Sequence, residues 1–347
     1  MKIMLIVYLS LKIIILIFND VRTMIYISVI IPAYNRKKYL KGALNSVIEQ
    51  DLSTELFEVI VVKNFYDYDL DTLINNNNFV NICSNETSYI KFILKAAEKA
   101  KGDIISFLED DDLYLRERLT FTYNAFISNS NLGFLKTNFA MFSEQGEERN
   151  NIWKEIKDPI LVKGKENNLQ TNLKIHQYGI DAVISASAIR KTLLTVESKI
   201  SELYHFDYFL PYITLKNGYD ILATDKVLTK YRLAESWTHA STSNYKEFVK
   251  KKSDLLVNTI QSYEIIKSIL NEKNFNRALD YQITEMKLEL SITGDKSIDI
   301  PFILNYLRRS LMERNFKRII FLLVSFLGKL NKKAIKKLFV NYSEVRY

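Results

Sequence analysis

An apolar segment that ends in consecutive acids constrains the fold of this chain more than any other feature. Asp103 to Leu108 is short, branched and apolar, which is typical of a buried strand. Glu109-Asp110-Asp111-Asp112 follows without interruption. Adjacent carboxylates repel one another, and a bound cation relieves that repulsion. We therefore expect a divalent-cation site at the end of a buried strand; the simpler alternative is a solvated acidic turn.

The chain before this strand alternates between apolar strands and amphipathic helices. Strands are predicted over Ile27 to Ile31 and Phe57 to Val62. Helical spacing runs over Lys37 to Gln50 and over Tyr89 to Lys101, with Gly102 as the predicted C-cap. This alternation predicts a parallel sheet with right-handed crossovers. Ligands of such sheets bind at the carboxyl ends of the strands, where the acids lie.

The remaining segments are predicted more coarsely. Leu70 to Ile74 is expected to be a short helix or a loop. The middle of the chain predicts a helix over Leu113 to Ser128, a strand over Leu132 to Phe142, loops over Glu144 to Leu173 and a returning strand over Asp181 to Ile189. Apolar residues at helical spacing then predict three helices, over Tyr245 to Leu270, Asn274 to Ile292 and Pro301 to Leu311.

Three blocks of the sequence, taken in order, resemble the inverting family-two glycosyltransferases of the GT-A fold. The blocks are Val29-Ile30-Ile31-Pro32-Ala33-Tyr34-Asn35-Arg36, Glu58 to Val62, and Ala100 to Asp112. The resemblance covers roughly residues 25 to 232. It implies a Rossmann-like α/β fold, with a mixed, mainly parallel sheet flanked by helices, plus a C-terminal helical region.

The resemblance also implies a set of site residues. In that family the acidic motif binds a divalent cation, Mn²⁺ or Mg²⁺, and a nucleotide-sugar donor. Asp111 matches the metal ligand, and Asp112 lies beside it. The positions implied for donor binding are Pro32, Tyr34, Asn35, Arg36, Asn64, Glu109 and Asp110. The implied acceptor is a glycan or a lipid-linked molecule.

Two departures from the family pattern affect the donor side. The family commonly has two aspartates after the second strand, where this chain has Lys63 and Asn64. It also often has an Ala-Arg-Asn run where this chain has Phe92-Ile93-Leu94. Asn64 retains part of the hydrogen bonding, and Lys63 is expected either at a donor phosphate or as a solvated turn lysine. The departures leave the donor base open and support a rival function, a catalytically silent relative that binds a saccharide or a protein partner.

An inverting transfer needs a carboxylate that accepts the proton of the acceptor hydroxyl. Asp207 matches the position of the family's base, at a predicted helix start; Glu202 is the alternative. The non-catalytic alternative is an acid stabilised by the helix N-terminus. His205 is expected to pack or to form a hydrogen bond, and Trp237 to His239 match a loop near the diphosphate. A nucleotidyltransferase is the other enzyme class considered, and the turn after the first strand lacks the glycines that its phosphate loop needs.

The charge of the chain is concentrated at its C-terminal end. The net charge is +8, but residues 301–347 carry eleven Lys or Arg and two Glu, so the other 300 residues carry about −1. A nucleic-acid-binding domain would show a basic stripe on its folded body. The basic tail instead favours contact with an anionic membrane surface. We expect no nucleic-acid partner and a cytoplasmic protein, peripheral at the inner face of the membrane.

Three regions are predicted from these patterns: an apolar extension over residues 1–23, a glycosyltransferase domain over 24–240 and a helical region with a basic tail over 241–347. The extension falls short of the roughly 20 apolar residues that span a bilayer. Met24 is one candidate functional start; a membrane-associated helix and an additional packed segment are the alternatives. One cysteine, Cys83, excludes an internal disulfide framework.

Overall fold

The computed structural model describes residues 26–143, 146–149, 156–166, 168–194, 198–233, 245–293 and 300–312. Its strands are β1 Ile27–Ala33, β2 Phe57–Lys63, β3 Val80–Cys83, β4 Ile104–Phe107, β5 Leu113–Tyr114, β6 Leu132–Ser143, β7 Glu148–Arg149, β8 Ile160–Val162, β9 Ser187–Arg190 and β10 Asp220–Leu233. Its α-helices are α1 Leu40–Ile48, α2 Tyr68–Asn76, α3 Tyr89–Lys99, α4 Arg118–Ser128, α5 Leu169–Gln177, α6 Phe209–Lys216, α7 Tyr245–Leu270, α8 Lys273–Thr293 and α9 Ile300–Met312.

The described strands form one mixed sheet in the order β3-β2-β1-β4-β9-β6-β10-β5, with β7 and β8 paired at its side. Strands β1, β2, β3 and β4 run parallel to one another, and β6 runs parallel to β10. Strand β9 is antiparallel to both β4 and β6, so it joins the two halves of the sheet. The predicted α/β class with a mixed, mainly parallel sheet is confirmed. The carboxyl ends of β1, β2 and β4 therefore lie at one edge.

Both faces of the sheet are covered by helices. Side chains alternate along β1, so that Ile30 packs in one core cluster while Val29 and Ile31 pack in the other. Helices α1, α2 and α4 supply one cover, and helices α3, α6, α7 and α8 supply the other. Burial on both faces explains why these strands are continuously apolar and do not alternate with polar residues.

The helical region shares its core with the sheet. Tyr263 on α7 and Phe275 on α8 belong to the same buried cluster as Phe107 at the end of β4. The predicted helices at Tyr245–Leu270, Lys273–Thr293 and Ile300–Met312 are present within one residue of the expected bounds. Hydrophobic contacts thus cross the predicted boundary at residue 240, and the division into domains stays a prediction. Within the described ranges, no helix combines the length and the apolar character that crossing a bilayer requires.

The prediction that Gly102 is the C-cap of helix α3 was wrong, and a different physical reason explains the glycine. Helix α3 ends with Ala100 as its C-cap, in extended backbone conformation. A Cβ added to Gly102 would lie 2.6 Å from the backbone nitrogen of Ser28 on β1. Glycine is therefore required here by the close approach of two backbones and not by a left-handed helix terminus.

Several predicted elements in the middle of the chain differ from the structure. The helix expected from Leu113 begins only at Arg118, because Leu113–Tyr114 pairs with β10 as β5. The segment expected to be loops contains β7, β8 and α5. The returning strand begins at Ser187, after a 3₁₀ turn over Ile184–Ala186. Leu70 to Ile74 lies inside the longer helix α2, and β3 was not predicted.

Candidate active site

The loops that follow β1 and β2 are held together by two asparagines. The Asn35 backbone N–H donates to Asn64 Oδ1 at 2.8 Å, and Asn64 Nδ2 donates to Asn35 Oδ1 at 2.7 Å. Asn35 has a φ of 55°, a left-handed conformation that asparagine tolerates better than most residues. The two loops therefore form one polar rim beside the ends of their strands.

Arg36 joins this rim to the acids that follow β4. Its Nε donates to Asp110 Oδ1 at 3.0 Å, and its Nη1 lies 2.6 Å from Asp111 Oδ2. Burial lowers the pKa of Arg36, but the hydrogen bond to Asp110 and the surrounding negative charges outweigh this and raise the pKa overall. The structure thus brings three of the predicted residues together, with one guanidinium shared between two carboxylates.

Ionisation of the acidic cluster, Glu109 to Asp112, is electrostatically unfavourable. Burial raises the pKa of Asp110 to about 6, although Arg36 opposes the shift. Burial also raises the pKa of Asp111, again opposed by Arg36. The pKa values of Glu109 and Asp112 lie well above the ordinary range, because burial and then the neighbouring aspartates disfavour ionisation. When all four acids are ionised, Arg36 compensates only part of their charge, so a divalent cation fits the charge that remains.

Asp112 is the most buried of the four acids, with 0% of its surface exposed. Its Oδ1 accepts the backbone N–H of Arg232 at 2.9 Å, and Arg232 Nε donates to the Asp111 carbonyl at 2.8 Å. Asp112 Oδ2 is buried and has no partner of hydrogen-bond geometry in the described part of the chain. An uncompensated carboxylate oxygen is suited to a hard cation. The described residues contain no group of three or more His, Cys, Asp or Glu side chains arranged as a metal site.

Asp207 faces the acidic cluster from the second half of the sheet. It lies two residues before α6, and its charge raises the pKa of Glu109 and of Tyr89. The pKa of Asp207 itself is raised to about 7, because burial disfavours its charge; Lys136 opposes this shift and Asp181 adds to it. A carboxylate with a pKa near 7 is well matched to accepting a proton at neutral pH.

Other predicted residues are placed less directly. Pro32 is paired within β1, and the Tyr34 ring packs edge-on against Phe92 at 5.6 Å between centroids. Glu202, the alternative base, is exposed at the end of a 3₁₀ turn. His205 donates or accepts at Thr259 Oγ1 over 3.1 Å and stacks on a tyrosine, which confirms the structural role expected for it. The segment Trp237 to His239 lies outside the described residues.

The expectation that Lys63 is a solvated turn lysine was wrong, because its side chain is only 3% exposed. Its Nζ lies 2.8 Å from Asp71 Oδ1 and donates to the Phe65 carbonyl at 2.8 Å, so its charge is already paired within the fold. The family's polar Ala-Arg-Asn run is replaced by Phe92 to Leu94, which lie on α3 and are buried in the core.

Sequence reasoning missed the residues that support the cluster from other elements. Tyr89 at the start of α3 donates to Glu109 Oε1 at 3.2 Å. Ser185 Oγ accepts the Glu109 backbone N–H at 2.9 Å. Arg232 lies near the end of β10. Single polar residues such as Arg232 and Ser185 carry no sequence signal that places them at the cluster.

An α/β domain of this topology, with an acidic cluster at the end of β4 and a half-buried carboxylate, Asp207, whose charge acts on that cluster, has the architecture of the GT-A fold. Residues 28–193 match the model of glycosyl transferase family 2. Over these residues the chain is similar to that family, as its sequence motifs predict.

Two curated relatives show the extent of the similarity. An uncharacterized glycosyltransferase of Haemophilus influenzae is 30% identical over 114 residues, 31% of this chain and 37% of that protein. The poly(ribitol-phosphate) beta-N-acetylglucosaminyltransferase TarS of Staphylococcus aureus is 32% identical over 102 residues, 28% of this chain and 18% of that protein. The matched segment spans less than two fifths of the length of either relative.

A solved structure extends the likeness over most of the chain at the level of the fold. The crystal structure of S. aureus TarS 1–349 in complex with UDP-GlcNAc superposes with a TM-score of 0.50 and 19% identity. The match covers 88% of this chain and 91% of that chain. The comparison supports the shared fold, including the helices that follow the sheet.

Proposed function

We propose that this chain is an inverting glycosyltransferase that moves a sugar from a nucleotide-diphosphate donor to a saccharide or lipid-linked acceptor. The observation that carries the proposal is the acidic cluster at the end of β4, held by Arg36 and Arg232, with Asp207 close enough to raise the pKa of Glu109. One side of the cleft offers groups that bind a donor, and the other offers a base. The similarity to the family and the TarS structure with a bound nucleotide sugar support the donor class.

The proposed reaction is a single displacement. The acceptor oxygen forms a bond to the anomeric carbon while its proton passes to the Asp207 carboxylate. The bond from the anomeric carbon to the donor oxygen breaks, and its electron pair leaves with the diphosphate. Attack from the face opposite the leaving group inverts the anomeric configuration. Asn35 and Asn64 would bind the nucleoside, and Arg36 would contribute a cation near the diphosphate.

Metal dependence is part of the proposal. The uncompensated Asp112 Oδ2 and the excess of carboxylates over Arg36 fit Mn²⁺ or Mg²⁺, with Asp111 as the more accessible ligand. The bound ion would supply the positive charge that stabilises the departing diphosphate. Asp112 also holds the Arg232 backbone, so this carboxylate would connect the metal side of the cleft to β10.

A binding screen and a transfer assay test this function together. Nucleotide diphosphates and nucleotide sugars are tested by thermal shift with and without Mn²⁺, since a ligand stabilises the fold in proportion to its occupancy. We expect one diphosphate to bind in a metal-dependent way, and Asp111→Asn to lose that dependence. Asp207→Asn should retain donor binding and lose transfer by about 10²–10⁴-fold. Glu202→Gln is the matched control and should retain transfer; transfer by Asp207→Asn at the unaltered rate would refute the assignment of the base.

A catalytically silent binding protein is the second candidate function. The observation that favours it is the position of Arg36, which lies between Asp110 and Asp111, where the metal would bind. In that case nucleotides and Mn²⁺ would produce no thermal shift in a well-folded sample, while a saccharide would. Arg36→Met separates the two functions. In a transferase the substitution frees the carboxylates to bind a cation. In a silent relative it leaves nucleotide binding unchanged.

For localisation we propose a cytoplasmic protein, peripheral at an anionic membrane surface, with the basic tail over residues 301–347 as the contact. The support is the charge of this end of the chain, of which residues 313–347 lie outside the described residues. Co-sedimentation with vesicles that contain anionic lipid, compared with neutral vesicles and with a chain truncated after residue 312, tests the proposal. Equal binding to both vesicle types would contradict it.

A further inference from the structure

Lys136 is a charged side chain inside the apolar strand β6, and only 1% of it is exposed. Its Nζ donates to the Val183 carbonyl at 2.8 Å and also to the Ala182 carbonyl. Burying an ammonium is costly unless charges and hydrogen bonds compensate it. Two neutral carbonyls compensate only part of a full charge, so the placement of this lysine requires a further reason.

The carbonyls that Lys136 binds belong to a strained turn. Val183 has φ 56° and ψ 87°, a left-handed conformation that is unfavourable for a β-branched residue. The next residues of the turn contact the candidate site: Ser185 Oγ accepts the Glu109 N–H at 2.9 Å, and the Ser185 carbonyl accepts the Thr229 hydroxyl at 3.3 Å. The turn is therefore held by Lys136 on one side and attached to the acidic cluster on the other.

Lys136 also lies in the field of Asp207. Burial lowers the pKa of Lys136 to about 7, although the negative charges of Asp207 and Asp181 oppose the shift. Arg118, on α4, lowers it further. Lys136 in turn lowers the pKa of Asp207, against the effect of burial. Each group thus favours the charged form of the other.

We infer that Lys136 is a positioning residue for the transfer step, because its ammonium holds the Ala182–Val183 turn and supplies the positive charge that faces Asp207. The inference rests on the proposed function, in which Asp207 is the base. It assigns Lys136 no contact with the donor or the acceptor. Its role is to keep Asp207 ionised and to keep Ser185 against the acidic cluster.

The other charged groups around the pair fix the direction of the effect. The charge of Asp181 disfavours the ionisation of Asp207, and Asp207 in turn raises the pKa of Glu109. Asp181 is 2% exposed and is hydrogen-bonded to His176 Nδ1 at 3.2 Å. Removing the Lys136 charge removes the cation that favours the ionised form of Asp207, so the pKa of Asp207 should rise.

The pH dependence of kcat distinguishes positioning from simple packing. In Lys136→Met we expect the acid limb of the profile to move to higher pH by about one unit. At pH 7 this should reduce kcat roughly fivefold and change KM for the donor less than threefold. Lys252→Met is the matched control, because Lys252 is also buried, with 6% exposed, and its Nζ lies 3.3 Å from Glu289. The control should retain the acid limb of the unaltered protein. An unchanged limb in Lys136→Met would overturn the inference.

A second measurement does not require Lys136→Met to fold. The protein is labelled with ¹³Cε-lysine, and the Lys136 resonance is assigned by its loss in Lys136→Arg. We expect its titration midpoint to fall by half a unit or more in Asp207→Asn, because the negative partner is removed. An identical midpoint in both proteins would show that the pair is uncoupled and would overturn the inference. Failure of the proposed function is separately visible, since Asp207→Asn would then retain transfer or the unaltered protein would show none.

Discussion

Asp207→Asn should make the protein more stable while it removes activity. Asp207 is partly buried, and its pKa is raised from the ordinary 3.8 to about 7. A difference of one pKa unit corresponds to about 1.36 kcal/mol, so the ionised carboxylate destabilises the fold by at most about 4 kcal/mol at high pH. Asparagine avoids that cost. It also withdraws the attraction that favours the charged form of Lys136, so we expect a net gain of about 1–3 kcal/mol.

The sign of the pH dependence is specific to this mechanism. Below pH 4 Asp207 is protonated in both the folded and the unfolded chain, so the substitution should change the free energy of unfolding little. Between about pH 4 and 7 the unfolded chain releases its proton first, and the unaltered protein loses stability as the pH rises. The gain from Asp207→Asn should therefore grow over this interval and remain constant above it.

Urea denaturation at pH 4, 5.5, 7 and 8.5 measures this gain. Glu202→Gln is the control, because Glu202 is an exposed carboxylate from the same segment, and we expect no pH-dependent change for it. A gain that is the same at every pH would show that asparagine merely packs better. A loss of stability at pH 8.5 would refute the argument that burial of the charge is costly.

Three further perturbations follow from contacts on the donor side and in the core. Gly102→Ala should lower the free energy of unfolding in urea by about 2–4 kcal/mol, because its Cβ would lie 2.6 Å from the β1 backbone. Gly42→Ala is the control, because its Cβ would meet its nearest neighbour at 3.4 Å. We expect it to be neutral or to stabilise the fold by up to about 1 kcal/mol. Asp71→Asn should cost about 2–4 kcal/mol at pH 7, because it leaves the buried Lys63 ammonium without its 2.8 Å partner. Asn64→Ala should weaken donor binding about 5–10-fold in calorimetry with no change in the melting temperature above 2 °C.

Each of these has an outcome that would contradict it. Equal stabilities for the two glycine variants would mean that β1 shifts away from residue 102 at no cost. The burial of Asp71 raises its pKa, but Lys63 and Asn81 lower it overall, so the stability that Asp71 contributes is present above its unfolded pKa and is lost as the pH falls. An Asp71→Asn defect that persists unchanged at pH 2 would therefore count against the ion pair. Unaltered donor affinity in Asn64→Ala would remove the asparagine pair from the binding site.

The parts of the fold that could be predicted from sequence are those in which one periodicity persists. Strands β1, β2 and β4 are predominantly apolar because helices cover both faces of the sheet, and this is visible in the sequence. Strand β3 could not be predicted in the same way, since Val80–Cys83 lies at the sheet edge and is exposed or half-buried at every residue. The segment 144–173 escaped prediction because its strands are two and three residues long, which is too short to show a period.

The candidate site was predictable to the extent that its residues are adjacent in sequence. The acidic cluster follows one strand, so its location followed from the parallel sheet alone. Lys136 could not be found, because a single lysine in an apolar strand carries no sign of which distant carboxylate it faces. Asp207 and Lys136 are brought together by α6 and β6, elements separated by more than 60 residues. Only the tertiary structure shows that they share one environment.

The donor-side departures from the family pattern change hydrogen bonding more than they change charge. The family's two aspartates are replaced by Lys63 and Asn64. By charge alone, this replacement converts an acidic rim into a basic one. The structure shows that the Lys63 charge is compensated by Asp71 beneath the rim, so no free cation is added where the donor would bind. What remains at the surface is the paired amides of Asn35 and Asn64, which carry both donors and acceptors. A wrong ligand would leave these amide groups without hydrogen-bond partners, and that cost is how such a site discriminates between ligands. The choice of donor base should therefore depend on Asn35 and Asn64 and not on Lys63.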